Sequence, residues 1–215
     1  MNRFDRQDRS FAIALAAIAG YVDAVGFLKA GGFFVSFMSG NSTRLAVGAA
    51  HGTPSVVIAA GLIAAFVAGV MAGTVASGRK GTRSQRVLMA VAGLLTFAEA
   101  CDVLGWGTAS IFLAAAAMGA ENAIFVRDGD IQIGVTYMTG TLVKFGQRLT
   151  RMLQGEKESG WLAFLTLWLG LVGGGILGAS AYAWLGFAGL WPAIAALVAM
   201  SFYMPGQQRG DTAFR

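Results

Sequence analysis

Residues 33–48 read FFVSFMSGNSTRLAVG, and a related stretch, GVTYMTGTLVKFG, occupies residues 134–146. When the two stretches are aligned, the tripeptide MSG at 38–40 falls on MTG at 138–140. An internal repeat of this kind indicates a duplicated architecture. We therefore take these two short elements as the feature around which the rest of the chain is arranged.

The segments that precede the two elements match as well. GYVDA at residues 20–24 aligns with GAENA at residues 119–123, with one residue inserted between the matched blocks. Both copies place a cation and several small polar side chains in an otherwise apolar chain. The aligned polar pairs are Ser39 with Thr139, Asn41 with Thr141, and Arg44 with Lys144.

The composition is typical of a membrane protein. Apolar residues make up 56% of the chain and charged residues 13%, whereas about a quarter of an average soluble domain is charged. Several stretches long enough to cross a bilayer carry almost no charge, which predicts spanning helices. The basic residues cluster in short loops beside apolar runs, so they indicate orientation in a membrane and not nucleic-acid binding.

The types of side chain present exclude several classes of site. Cys101 is the only cysteine and His51 the only histidine. An intramolecular disulfide and a multi-histidine metal site are therefore excluded. The sequence contains no nucleophile–base pair, phosphate loop or nucleotide fingerprint, so we expect no enzyme activity, no cofactor and no metal.

The apolar runs predict an all-α membrane protein with six transmembrane helices. Each short element is too brief to cross a core of about 30 Å, which needs about 20 helical residues. The basic N-terminal tail and first apolar run could be a cleavable signal peptide. A retained helix is favoured because this run carries Asp23 and belongs to the repeat. The predicted helices are 11–28, 55–76, 87–104, 108–126, 161–182 and 184–203. The chain is predicted to divide into a cytoplasmic tail at 1–10, membrane repeats at 11–104 and 105–204, and a cytoplasmic tail at 205–215.

Two topologies are open, and they differ in where the basic loop at 79–86 lies. If both short elements enter and leave on the same side, this loop, the segment 148–157 and both tails share one side. If both elements cross, the loop moves to the opposite side. The positive-inside rule favours the first arrangement, with both termini cytoplasmic in the bacterial inner membrane. The halves are then inverted three-helix repeats, each with a short broken or re-entrant helix, a plan used by secondary transporters.

In such folds the solute binds near the bilayer midplane, where interrupted helices meet. A helix that begins near Gly40 or Gly140 would direct free N–H groups and the positive end of its dipole at that site. Two positive helix ends and two cations favour a small anionic solute. The predicted solute-binding residues are Ser39, Asn41, Arg44, Thr139, Thr141 and Lys144.

The cations of the repeat have an alternative explanation. Charges inside a membrane usually pair with one another. Arg44 could pair with Asp23, and Lys144 with Glu121, as buried ion pairs that hold each half together. The sequence leaves this alternative open beside the anion site.

The acids predict ion coupling or charge balance. Glu99 and Asp102 are three residues apart and share a helix face. Two neighbouring carboxylates at low dielectric do not both ionise easily, which is the chemistry that a proton- or cation-coupling site needs. Alternatively, Asp102 reaches the outer surface and Glu99, which is deeper, caps a neighbouring polar group. The predicted coupling or charge-balancing residues are Asp23, Glu99, Glu121 and Asn122.

GYVDAVGFLKAGGFFVSFMSGNSTRLAVG at 20–48 and AMGAENAIFVRDGDIQIGVTYMTGTLVKFG at 117–146 resemble the YoaK-type family of bacterial inner-membrane proteins. The resemblance covers nearly the whole chain. It implies a multi-spanning membrane domain that is generally taken to be of unknown function. Ser39 stands where the family usually has Thr, and Glu121 stands where Gln is expected.

We interpret the chain as a permease or channel for a small anionic solute. The alternative is a non-transport scaffold or sensor with a sealed, ion-paired interior, which binds a partner through its basic loops. An intramembrane enzyme acting on lipid would have only Glu99 and Asp102 as its acid–base pair. The expected partners are the lipid bilayer and a small solute, without nucleic acid. A homodimer is left open beside internal packing, because the glycine stripes suit either.

Overall fold

The computed structural model describes most of the chain. The described residues include the first short element, the second from Met138 onward, and the apolar runs between them. The tails at 1–5 and 205–215, residues 79–82 of the basic loop and residues 134–137 of the second short element lie outside the described residues. The described ranges are 6–77, 83–127, 130–131, 138–155 and 160–203.

The described residues are almost entirely helical. A 3₁₀ segment, Asn122–Phe125, follows the fifth helix, and another, Gly186–Leu190, precedes the last. Between them, β1 (Val126–Arg127) pairs with β2 (Asp130–Ile131) in an antiparallel two-residue ladder. The eight α-helices are α1 (Arg6–Lys29), α2 (Met38–His51), α3 (Ser55–Ser77), α4 (Arg83–Val103), α5 (Gly107–Glu121), α6 (Met138–Leu153), α7 (Trp161–Leu185) and α8 (Trp191–Tyr203).

Within the described ranges, three helical stretches are long and apolar enough to cross a membrane. They are Arg9–Lys29, Ser55–Ser77 and Trp161–Tyr203, the last of which contains both α7 and α8. α3 has no charged residue along its length. Its outward-facing side chains include exposed Val57 and Met71, which suit contact with lipid better than contact with water.

The two short helices begin at equivalent places in the repeat, at Met38 and at Met138. α2 has 14 residues and α6 has 16, so at 1.5 Å per residue they measure about 21 and 24 Å. Neither reaches across a hydrocarbon core of about 30 Å. α2 packs against α3, and α6 packs against α7.

Two helices are shorter than the sequence predicted, whereas α1 and α4 begin earlier, at Arg6 and Arg83. The run at 108–126 is α-helical only to Glu121, because the chain tightens there into a 3₁₀ segment. The run at 184–203 begins late, at Trp191, since α7 continues to Leu185 and ends at Gly186 with a positive φ of 59°. Pro192 lies in the first turn of α8, where a missing backbone N–H has no cost.

The core depends on two close helix pairs, α1 with α7 and α3 with α5. Gly174 lies against the carbonyl of Ala17, and Gly69 lies against the carbonyl of Ala116. A β-carbon at either glycine would collide with that carbonyl, so the helices are as close as glycine allows. These glycines therefore serve packing within the chain. Gly178 against Tyr21 and Gly73 against Ala120 repeat the arrangement.

Candidate functional site

The loop between α1 and α2 is held by an acid of α1. Gly31 and Gly32 turn the chain back at positive φ angles of 64° and 97°, which glycine adopts without strain. Asp23 Oδ1 then accepts hydrogen bonds from the backbone N–H groups of Val35 at 2.9 Å and Ser36 at 2.7 Å. Non-helical backbone at membrane depth needs such partners because lipid offers none.

Asn41 fixes the first turn of α2 against the same loop. Its side chain is fully buried. Its Nδ2 donates to the carbonyl of Phe34 at 2.6 Å, and its Oδ1 accepts from the N–H of Phe34 at 3.0 Å. Both ends of the amide are thus engaged by one backbone unit, so Asn41 positions the loop.

The cation of the first repeat lies on an aromatic ring. The Arg44 guanidinium is 5.0 Å from the centroid of the Phe33 ring, a cation–π distance. The Arg44 side chain is exposed, while the Asp23 carboxylate is occupied by backbone N–H groups. Among the residues described, the only side-chain ion pair joins Lys29 to Asp102. The pair of Arg44 with Asp23 that the sequence left open is therefore not formed.

A cavity of about 400 Å³ lies where the two short helices begin. Ser39 and Thr139, which the repeat aligns with each other, both lie on its wall. The described lining residues include no charged side chain. The wall is formed by Ser36, Phe37, Met38, Ser39 and Phe66 from the first half, and by Met138, Thr139 and Gly140 from the second.

Both short helices begin at this cavity. α2 begins at Met38 without a side-chain cap, and α6 begins at Met138. The first-turn N–H groups of an α-helix lack intrahelical partners and carry the positive end of its dipole. In α2, the N–H groups of Met38 and Gly40 donate to the carbonyls of Ser36 and Phe37. Two helix N-termini and two hydroxyl side chains therefore meet in one space.

Comparison with known proteins identifies the family. The family described as "Protein of unknown function (DUF1275)" matches residues 11–203. This chain belongs to the DUF1275 family. It is 36% identical over 210 residues to a UPF0700 transmembrane protein of Rhizobium meliloti (strain 1021), covering 93% of this chain and 90% of that protein. No solved structure matches the chain. Together with its apolar helices, this makes the DUF1275 chain a membrane protein in contact with lipid.

The predicted solute-binding residues of this DUF1275 chain lie at different distances from the cavity. Ser39 and Thr139 line it. Asn41 lies two positions beyond Ser39, outside the lining, and its side-chain amide is hydrogen-bonded to the backbone of Phe34. Arg44 and Lys144 are exposed on α2 and α6, outside the lining, and Thr141 is half-buried on α6. The part that each plays in solute binding stays a prediction.

The acid and the amide at the end of α5 are both buried. Glu121 is fully buried, and neither of its carboxylate oxygens has a hydrogen-bond partner in the described part of the chain. Lys144, its alternative partner, has an exposed side chain and forms no ion pair with it. Asn122, which aligns with Asp23, donates from Nδ2 to the carbonyl of Met118 at 3.0 Å.

Glu99 and Asp102 lie near the C-terminal end of α4, next to Lys29, a base that was not among the predicted site residues. Lys29 Nζ and Asp102 Oδ1 are 2.5 Å apart. Glu99 is buried one turn deeper. The sequence signal was present, since Lys29 and Asp102 each end an apolar run. Their pairing depends on the end of α1 reaching the end of α4, which no local pattern encodes.

Proposed function

We propose that this DUF1275 protein is a permease or channel for a small anionic solute, which binds in the cavity between α2 and α6. The observation that carries the proposal is that both short helices, one from each copy of the repeat, begin at this one cavity. Ser39 and Thr139 supply hydroxyl groups, and the two helix N-termini supply positive potential. Arg44 and Lys144 would attract the anion from further along each short helix.

The proposal includes six spans in two inverted halves, each with three spans and a short helix. In the second half, α5 and α8 have only 15 and 13 residues. Each therefore counts as a span together with its adjoining 3₁₀ segment, Asn122–Phe125 after α5 and Gly186–Leu190 before α8. Its support is reciprocal packing: α1 of the first half packs on α7 of the second, and α5 of the second packs on α3 of the first. The repeat alignment places Ala17 on Ala116, and the glycines that contact them are Gly174 and Gly69. A twofold axis in the membrane plane would relate the contact of α1 with α7 to the contact of α5 with α3.

The proposed location is the bacterial inner membrane, as the resemblance to the YoaK-type family also implies, and the proposed orientation has both termini in the cytoplasm. Arg86 near the start of α4 and Arg151 near the end of α6 would both face the cytoplasm, in accordance with the positive-inside rule. Lys29 lies at the opposite end of the bundle, where Asp102 neutralises its charge. This distribution of charge favours the topology with re-entrant short helices.

The alternative, a scaffold or sensor with a sealed interior, rests on ion pairs between the cations and acids of the repeat. In the residues described, Asp23 is held by backbone N–H groups, and Arg44 and Lys144 are exposed. The cavity at Ser39 and Thr139 favours transport over this alternative. An enzyme acting on lipid would use Glu99 and Asp102, but the ion pair engages Asp102, so we propose that the protein is not an enzyme.

The test is anion flux into liposomes that contain the purified full-length protein. Chloride, nitrate, phosphate, formate and acetate are compared with protein-free liposomes. Gly140 lines the cavity, and a β-carbon there meets nothing within 4 Å, so Gly140→Phe fills the cavity without a backbone clash. Gly146 on the same helix is equally open and lies outside the lining, so Gly146→Phe is the matched control.

Flux of at least one anion is expected with the wild-type protein and with Gly146→Phe, and loss of that flux with Gly140→Phe. The proposed function is wrong if no anion moves faster than in protein-free liposomes. The proposed site is wrong if Gly140→Phe transports as fast as Gly146→Phe.

A further inference from the structure

Three parts of the chain meet at the end of the bundle where α1 stops. Lys29, the last residue of α1, pairs with Asp102 near the end of α4. Lys29 Nζ also lies 5.4 Å from the centroid of the Phe187 ring, in the 3₁₀ segment between α7 and α8. The side chains of Lys29 and Asp102 are 28% and 20% exposed, so water can reach this ion pair.

Glu99 lies behind the pair, one helical turn deeper on the same face of α4. Its side chain is only 3% exposed, and its Oε1 has no hydrogen-bond partner among the described residues. The backbone N–H of Leu190 faces its carboxylate. An ionised carboxylate buried with a free oxygen is unfavourable, whereas the neutral carboxyl group is tolerated far better.

The charges that face Glu99 are few. Lys29 comes from α1 and Asp102 from its own helix. The segment Gly186–Leu190, α3 and α8 contain no charged residue, and the one acid of α5, Glu121, is at the opposite end of that helix. One ammonium group therefore serves two carboxylates. Lys29 is paired with Asp102, which leaves Glu99 without a cation of its own.

We propose that Glu99 is a proton-binding residue, which exchanges a proton with water through the partly exposed Lys29–Asp102 pair, and that this proton controls passage through the cavity. The exchange adds one H⁺ to a carboxylate oxygen of Glu99 and returns it to water, with no other bond made or broken. The second half of the proposal rests on the proposed transport function.

A short connection joins this cluster to the cavity. Lys29 ends α1, and the loop that follows reaches the cavity wall at Ser36. When Glu99 loses its proton, Lys29 is drawn from Asp102 towards the new charge, because two carboxylates then compete for one ammonium group. Movement of Lys29 displaces the start of the loop between α1 and α2, which Asp23 holds at Val35 and Ser36. A change in the protonation of Glu99 thereby shifts the cavity wall at Ser36.

The first test is an infrared titration of the full-length protein in liposomes, which needs no transported solute. The wild-type spectrum should contain a protonated-carboxyl band component that titrates with pH and disappears in Glu99→Gln. Glu121→Gln, which removes another buried glutamate, is the matched control and should retain that component. At equal pH the component should be weaker in Asp102→Asn, because Lys29 can then stabilise the ionised form of Glu99. It should be stronger in Lys29→Met, because no cation then favours the ionised form.

The proposal is overturned if the titrating component survives in Glu99→Gln, or if it disappears in Glu121→Gln instead. It is also overturned if Asp102→Asn and Lys29→Met both leave the component unchanged. Helical circular dichroism and size-exclusion elution verify that each variant is folded. Should Glu99→Gln not fold, the opposite shifts expected from Asp102→Asn and Lys29→Met decide the question.

The second test measures anion flux against pH in the same liposomes. Wild-type flux should change with pH by up to about tenfold per pH unit, the limit for one titrating proton. This dependence should disappear in Glu99→Gln and persist in Cys101→Ala, which changes a buried residue of the same helix. Persistence of the dependence in Glu99→Gln overturns the coupling. If the wild-type protein moves no anion, the proposed function fails, while the infrared titration still decides whether Glu99 binds the proton.

Discussion

The carboxylate of Asp23 lies 2.7 Å from the backbone nitrogen of Ser36, and this contact ties α1 to the wall of the cavity. The same oxygen accepts the N–H of Val35. An acid in an apolar helix therefore satisfies the backbone of a non-helical loop, which lipid cannot do. The shape of the cavity depends on this hydrogen-bonded loop as well as on the helices around it.

Asp23→Ala should destabilise the protein. It leaves two backbone donors without their acceptor, at a cost of about 3 kcal/mol. Asp23→Asn keeps a carbonyl oxygen at the site and should cost less. Thermal unfolding of the purified protein in detergent measures both variants. Equal melting temperatures for the wild type and Asp23→Ala would show that the two hydrogen bonds do not hold the loop.

Asn41→Ala should also destabilise the fold, by about 2 kcal/mol, because both hydrogen bonds to the Phe34 backbone are lost in a buried position. Its control is Ser42→Ala on the exposed face of α2, where the hydroxyl only donates to the carbonyl of Met38 within the same helix. The melting temperature should fall clearly for the first variant and hardly for the second. A similar loss for both would contradict the anchoring role of Asn41.

The contact between α1 and α7 can be tested at adjacent glycines of α7. Gly174→Ala places a methyl group on the carbonyl of Ala17, whereas Gly173→Ala meets nothing within 4 Å. Overpacking of this kind costs about 1–3 kcal/mol, and in addition the helices must separate. Unfolding of each variant should show a loss of stability for Gly174→Ala alone. If Gly173→Ala were the more damaging change, the assigned face of α7 would be incorrect.

Much of the fold could be predicted because its signals are local. The sequence predicted the second span at 55–76, and the structure has α3 at Ser55–Ser77. A helix was expected to begin near Gly40, and α2 begins at Met38. These predictions rest on the length of the apolar runs and on the helix-breaking Gly and Pro residues between them. The early end of α5 was missed, because the run itself contains no breaker after Glu121.

The candidate site was less accessible to prediction, because its contacts join residues far apart in the chain. Asp23 was expected to balance a charge, but its partners are backbone N–H groups, which leave no mark in a sequence. Lys29 was not selected, because only the tertiary fold brings it to Asp102. Ser39 and Thr139 were selected from the repeat, since duplication makes distant positions comparable.

The proposed orientation predicts which positions share a side of the membrane. Gln85 near the start of α4 and Leu153 at the end of α6 are both exposed and should share one side, and exposed Val103 at the end of α4 should lie on the other. Single cysteines are introduced at these positions after Cys101→Ala, which removes the native cysteine. An impermeant thiol reagent applied to intact cells and to inverted vesicles measures the side. Labelling of Gln85→Cys from the periplasm would contradict the re-entrant topology.

The most direct test of the solute pathway is the reactivity of cysteines placed on the cavity wall. In the Cys101→Ala background, Ser39→Cys and Thr139→Cys should both react with a small water-soluble thiol reagent, should lose anion flux on reaction, and should be protected by the transported anion. Val47→Cys and Val143→Cys, on exposed faces of the same two helices, are controls that should keep their flux. If the two wall cysteines reacted only with a lipid-soluble reagent, or reacted without any change in flux, the cavity would not be the path of the solute.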